Sequence, residues 1–134
     1  MAHSHRFLIG VLLFGPVFAS CGQVTSPGIE GRWAAPGIEL TLQPNSGQLR
    51  LVCTMPAQLD HGLLPDSVGN IIFSTLVQPM ELHAPYRADF VGHLVADALV
   101  ATVTLTRNGS SPVVHSYTML RNGDSGLDKI YCAL

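Results

Sequence analysis

Three cysteines are the residues of this chain that could most directly do chemistry: Cys21, Cys53 and Cys132. No two of them stand at Cys-x-x-Cys spacing, so the sequence does not favour a thiolate metal site. Cys53 and Cys132 lie in strand-like segments, whereas Cys21 is isolated near the start. Because an odd number leaves one cysteine over after a single disulfide, we expect Cys53 to bond to Cys132. Two buried free thiols are the alternative.

Histidines and carboxylates show no catalytic or metal-binding spacing. The histidines after residue 20 are His61, His83, His93 and His115. His93 and His115 fall on predicted strands that could be neighbours, so a zinc or copper site is weighed there. The spacing favours ordinary surface or half-buried histidines instead. The sequence therefore predicts no catalytic, cofactor or metal site and no enzyme, and keeps one alternative, an activity joining His93, His115 and an aspartate.

The first 20 residues have the layout of an export signal. Arg6 is the one fixed cation in residues 1–6, an apolar run follows over residues 7–19, and small residues stand at its end. Such a run is shorter than the roughly 20 apolar residues that span a bilayer. The pattern predicts a signal peptide over residues 1–20.

Two processing sites compete at the end of this signal. Phe18-Ala19-Ser20-Cys21 resembles the bacterial lipobox, in which the cysteine receives a diacylglycerol group, although an aliphatic residue is usual where Phe18 stands. Cleavage before Ser20 by an ordinary signal peptidase is the alternative, and it would give a soluble periplasmic or secreted protein. The odd cysteine count favours lipidation of Cys21. We therefore expect a membrane-anchored lipoprotein of the bacterial cell envelope, with residues 21–30 as a flexible tether.

Composition limits the partners of the remaining domain, residues 31–134. Charged residues make up 12% of the chain and form no run of like sign. Loss of Arg6 with the signal leaves six cations against nine acids. These features exclude a nucleic-acid-binding surface and a polybasic membrane patch.

Apolar residues alternate with polar ones along much of the domain. Period two is clear over residues 38–43, 49–53, 90–94 and 99–106, and residues 113–120 and 128–134 complete the set of predicted strands. Such alternation is typical of strands with one buried and one solvated face.

Turn signals separate these strands, at residues 44–47, 66–70, 107–109 and 122–126. Asn-Gly pairs favour tight hairpins because both central residues need positive φ. The chain is therefore predicted to be all-β, a small antiparallel up-and-down barrel of about eight strands, with an open β-sandwich as the alternative. Cys53 and Cys132 are expected to face inward on an early strand and on the last strand.

Gly31-Arg-Trp33 resembles the Gly-x-Trp start of lipocalin-type barrels. In that family the tryptophan plugs the closed end of the barrel and a late arginine packs over it. Arg121 stands where such a partner would be. The alternative is that Trp33 is an ordinary core aromatic.

The domain also resembles a group of uncharacterised bacterial exported and lipoprotein domains. The resemblance rests on an early tryptophan strand, a strand ending in cysteine, a Phe-x-Gly strand, a threonine-rich strand and a terminal Cys-x-Leu: Trp33, residues 49–53, Phe90-Val-Gly92, residues 102–106 and residues 131–134. It implies a β-barrel-like fold and a terminal disulfide. It implies no activity.

These observations support three hypotheses about function. The first is a non-enzymatic envelope lipoprotein that binds a protein or a small apolar ligand and needs no cofactor. The second is an inhibitor of a secreted hydrolase such as lysozyme, with the loop at residues 78–85 as its plug. The third is an enzyme whose site the sequence does not reveal.

Overall fold

The computed structural model describes residues 28–60, 65–66, 68–81 and 83–132. Within these residues the chain forms eight β-strands and one turn of 3₁₀ helix. The strands are β1 (Gly31–Ala35), β2 (Ile38–Gln43), β3 (Ser46–Leu51), β4 (Ala57–Leu59), β5 (Asn70–Val77), β6 (Tyr86–Val95), β7 (Ala98–Thr106) and β8 (Val113–Arg121), and the 3₁₀ turn is Leu127–Lys129. Among the described residues, no helix has the length and apolarity needed to cross a membrane.

All neighbouring strands are antiparallel and lie in one sheet of order β4-β3-β2-β1-β8-β7-β6-β5. The two outer strands, β4 and β5, approach each other through an isolated bridge between Thr54 and Pro79. Beside it, the Met55 N–H donates to the Gln78 carbonyl at 2.8 Å and the Met80 N–H to the Cys53 carbonyl at 3.0 Å. The sheet is thus a nearly closed barrel, and the predicted up-and-down barrel is confirmed.

The apolar residues of the predicted alternating pattern fill the inside of this barrel. In β2, Ile38, Leu40 and Leu42 are buried and the residues between them are not. Phe90 of β6 is fully buried, and a Cβ at Gly92 would lie 2.7 Å from its ring, so glycine is needed at that position. The core cluster also includes buried residues from each of the remaining strands: Trp33, Leu49, Leu59, Ile71, Leu99 and Met119.

The segment after β8 is not the predicted last strand. Residues 128–134 were expected to be β, but the described part forms the 3₁₀ turn and then irregular chain. Here the chain runs across the outer face of β1–β3: the Asn122 N–H donates to the Arg32 carbonyl, and the Gly37 N–H to the Ser125 carbonyl. Arg50 of β3 pairs with Asp128 at 2.8 Å. The segment contacts the outer face of the sheet and not a strand edge, so it has no neighbouring strand with which to pair.

A disulfide links Cys53 to Cys132, as predicted. Its surroundings differ from the prediction, because neither cysteine lies on a strand or faces the core. Cys53 follows β3 in a turn with positive φ, and Cys132 ends the irregular segment after the 3₁₀ turn. The bond therefore ties the C-terminal segment to the end of β3.

The predicted signal and the lipidation site at Cys21 lie outside the described residues. Residues 28–30, which the sequence analysis placed in the tether, pack on the barrel instead. Ile29 is buried and its carbonyl accepts a 2.8 Å hydrogen bond from Trp33 Nε1. The folded domain thus includes residues before the predicted boundary at residue 31, because the buried indole needs a partner for its N–H.

Candidate functional site

One end of the barrel is covered by the chain that leads into β1. The Trp33 ring is buried there, and the Arg121 guanidinium lies 4.3 Å from the centroid of that ring. Arg121 also donates hydrogen bonds to the carbonyls of Gly28 and Glu30. The cation, the ring and residues 28–30 together close this end.

A surface depression of about 350 Å³ lies outside this closed end. It is lined by Leu94, Ala96 and Asp97 of the β6–β7 hairpin together with Trp33 and Arg121. Arg121 is bonded to two carbonyls beside this depression, and the Asp97 carboxylate is exposed there.

The other end of the barrel is open, and strand pairing explains why. β1 pairs with β8 at only two positions, Trp33 with Arg121 and Ala34 with Leu120. Residues 113–118 of β8 therefore pair with β7 alone. A gap remains between the first half of β8 and the turn that joins β1 to β2.

Inward-facing side chains line this gap. The register pairs Leu105 with Val113, and Val103 with His115, so Val113 and His115 point to the same side as the buried core of β7. Val113 is nevertheless 53% exposed. We call this opening the mouth and define it by six residues: Tyr86, Leu105, Arg107, Val113, His115 and Tyr117.

The mouth contains two adjoining cavities, of about 220 Å³ and about 260 Å³, both lined by Tyr86, Leu105 and His115. The first reaches the core residues Leu51 and Val77 and the exposed Val52. The second lies toward the β7–β8 turn and adds Arg107, Ser110 and Ser111. The mouth is thus apolar on its inner side and polar on its outer side.

Aromatic groups and one fixed cation dominate the chemistry of the mouth. The Arg107 guanidinium lies 4.1 Å from the centroid of the Tyr86 ring, and its buried Nε has no hydrogen-bond partner in the described part of the chain. The rings of His115 and Tyr117 are 6.3 Å apart. Burial raises the pKa of Tyr117, so its phenol is neutral at physiological pH. Among the described residues that line the two cavities, none is acidic.

The hypothetical cluster of His93 and His115 does not form. His93 lies on the outer face of β6 and contacts Asn70 Oδ1 through Nδ1 at 3.0 Å. His115 lies two strands away, on the inner face, since β7 separates β6 from β8. Alternation along the two strands places these rings on opposite sides of the sheet.

The other candidate residues are scattered. His83 pairs with Glu81 at 2.8 Å in the loop between β5 and β6, and His61 lies outside the described residues. In the part of the chain that the structure describes, no three histidine, cysteine or acidic side chains come together as a metal site.

The loop at residues 78–85, considered as a plug for a hydrolase, is exposed at Met80, Glu81 and His83. Gln78 braces it by donating to the His83 carbonyl at 2.9 Å. Its action on a hydrolase stays a prediction, which a panel of secreted hydrolases would test.

Sequence reasoning missed most of the mouth. Arg107 was read only as part of a turn, and Tyr86 and Tyr117 were not singled out. One signal was present: at the start of β8, Val113, His115 and Tyr117 occupy the inward positions, and two of these three carry polar groups. An inward face that becomes polar toward one strand end indicates an opening there.

Comparisons of the chain with protein-family models, with curated proteins and with solved structures gave no match.

Proposed function

We propose that this protein is a non-enzymatic binding module of the bacterial cell envelope that takes up a small apolar ligand at the mouth of its barrel. Export through residues 1–20 and a lipid on Cys21 would place it at a membrane. The ligand would lie between Leu105, Val113 and Tyr117.

The single observation that carries this proposal is the exposure of two inward-facing side chains at the mouth. The inward-facing residues of the middle of β7, Leu99, Ala101 and Val103, are buried, whereas Val113 and His115 of the neighbouring strand remain exposed. Exposed apolar surface in a concave site gains about 25 cal/mol for each Å² that a ligand removes from water. Pockets that bind small molecules are mostly apolar, with a few placed polar groups, as the mouth is.

The position of the tether fits this arrangement. The chain between Cys21 and Ile29 spans at most about 28 Å when extended, at about 3.5 Å per residue. It reaches the barrel at the closed end, where Arg121 holds Gly28 and Glu30. A lipid on Cys21 would therefore turn the closed end toward the membrane and leave the mouth facing away from it.

Two adjacent valines of β8 give a matched test. Val113 faces the mouth and Val114 faces outward, and their exposures are similar, 53% and 59%. A neutral fluorescent probe, N-phenyl-1-naphthylamine, is titrated into the purified protein and into the variants Val113→Trp and Val114→Trp. We expect saturable binding to the wild type and to Val114→Trp. An indole at residue 113 occupies the site and weakens binding tenfold or more, a loss of at least about 1.4 kcal/mol.

Absence of saturable binding to the wild-type protein would contradict the proposal. So would equal affinity of the two variants, because the bound probe would then lie elsewhere. Circular dichroism of both variants checks that the barrel is intact.

A further inference from the structure

We propose that the ligand carries an acidic group, and that Arg107 binds it. This inference rests on the proposed function and names the ligand class: an amphiphile with one apolar chain and one carboxylate. The apolar chain would enter between the aliphatic residues of the mouth, and the carboxylate would remain at its outer rim.

The first support is the state of the Arg107 guanidinium. It is half-buried at the rim of the larger of the two mouth cavities, and its Nε has no hydrogen-bond partner among the described residues. A buried donor without a partner is destabilising, because it has lost its hydrogen bonds to water. Guanidinium is suited to recover this cost from a carboxylate, because its fork of donors matches the two carboxylate oxygens.

The second support is that no acid of the protein serves as this partner. All nine Asp and Glu residues lie in the described part of the chain. The five ion pairs found among the described residues involve Arg32, Arg50, His83, Arg87 and Lys129, and none involves Arg107. Within the part of the chain that the structure describes, the Arg107 cation therefore has no acidic partner.

The third support is the orientation of the side chain. Arg107 lies over the Tyr86 ring, and a cation over an aromatic face is attracted to it. This contact holds the guanidinium beside the apolar lining rather than out in solvent. Ser110 and Ser111 line the same cavity and bring hydroxyl groups to the same rim.

Decanoate and decanol test this directly, because they share a chain and differ in the acidic group. Each is titrated against protein-bound N-phenyl-1-naphthylamine, for the wild type, for Arg107→Gln and for Arg87→Gln. Arg87 is the control because it lies on the outer face of β6, paired with Asp89 at 3.0 Å. We expect Arg107→Gln to weaken decanoate binding about tenfold and to leave decanol binding unchanged, while Arg87→Gln changes neither.

The possible results separate this inference from the proposed function. Equal losses for decanoate and decanol, or no loss for decanoate, would overturn the role of Arg107 and leave ligand binding standing. A wild-type protein that binds neither compound nor the probe would overturn both. If Arg107→Gln fails to fold, the inference is tested on the wild-type protein instead, by following the NMR signal of the Arg107 Nε–Hε group. A shift with decanoate and not with decanol supports the inference, and equal shifts overturn it.

Discussion

Two arginines of this barrel lie over aromatic rings, and their remaining partners give them different roles. Arg121 covers Trp33 and donates to the carbonyls of Gly28 and Glu30, so it holds the chain before β1 on the barrel. Arg107 covers Tyr86 and keeps a buried Nε without a partner. The first arginine is a structural clamp, and the second is available for a ligand.

The clamp makes a prediction about stability. Arg121→Gln removes the cation over Trp33 and its hydrogen bonds to residues 28–30, so we expect the free energy of unfolding to fall by about 2 kcal/mol. Urea denaturation measures it. Arg87→Gln, on the outer face, is expected to change stability by less than about 0.5 kcal/mol. Equal effects of the two substitutions would contradict the clamp.

Lipidation is predicted at one residue, Cys21. If Cys21 is the acylated residue, cells grown with an alkynyl palmitate analogue will label the wild-type protein and will not label Cys21→Ala. The variant Cys53→Ala serves as the control and is expected to keep the label, because its thiol has a different partner in the fold. Label on Cys21→Ala would show that Cys21 is not the lipidated residue.

The C-terminal segment is the element that the sequence predicts least well. Asp128 to Leu134 contains isoleucine and tyrosine in a strand-like pattern, but strand propensity depends on a neighbouring strand. In the fold this segment lies across the outer face of the sheet with no strand beside it, and Leu127 is buried there. Ala34 of β1 points to that same outer side and is also buried, although an outward position on a strand is usually solvated.

The disulfide makes the attachment of this segment testable. The bond closes a loop of 79 residues, and the chain-entropy model gives such a loop a stabilisation of about 4–5 kcal/mol. We expect the double variant Cys53→Ser/Cys132→Ser to unfold at a correspondingly lower urea concentration. A matched wild-type sample in reducing agent should behave like the variant. An unchanged midpoint in both would show that the bond contributes nothing to stability.

The contacts between β5 and β6 at Asp89 predict how the stability of the fold depends on pH. Asp89 on β6 accepts hydrogen bonds from Ser74 on β5 and from Arg87, and these two contacts lower its pKa below the ordinary value of 3.8. A folded-state pKa below the unfolded one stabilises the fold above pH 3.8, and that contribution is lost as the pH falls through the folded pKa.

The variant Asp89→Asn isolates this effect. At about pH 7 we expect it to be less stable than the wild type, by under about 1 kcal/mol because the site is solvated. As the pH falls below 3.8 and through the folded pKa of Asp89, this difference should shrink, because the wild-type carboxyl becomes protonated. Urea denaturation at a series of pH values measures the difference. A stability difference that persists at low pH would show that it does not arise from the ionised carboxylate of Asp89.

For the molecule as a whole, local patterns predict the barrel better than its ends. Strict alternation identifies β2 and β7, and the turn signals fall between elements, because both depend on residues close in sequence. The mouth depends on how far β1 runs along β8, a pairing across about ninety residues that no local pattern records. The closed end likewise depends on Arg121 reaching residues 28–30.

The two ends of the barrel therefore differ, one being closed and the other open at the mouth. The chain before β1 reaches the barrel at the closed end. The mouth lies at the opposite end of the barrel, near the β7–β8 turn. The interior of an eight-stranded barrel is just wide enough for side chains to fill, so we expect room for a ligand where the strands stop pairing. Here that place is the gap beside residues 113–118.

One measurement tests the central claim most directly: mapping where a neutral apolar ligand binds by amide chemical shifts. Decanol is titrated into ¹⁵N-labelled protein. We expect the shifted amides to cluster at the mouth, around Leu105, Val113 and Tyr117, with the amides of Ile72 and Val91 on the outer face unmoved. Shifts centred on the outer face of β5 and β6, or none at saturating decanol, would contradict ligand binding at the mouth.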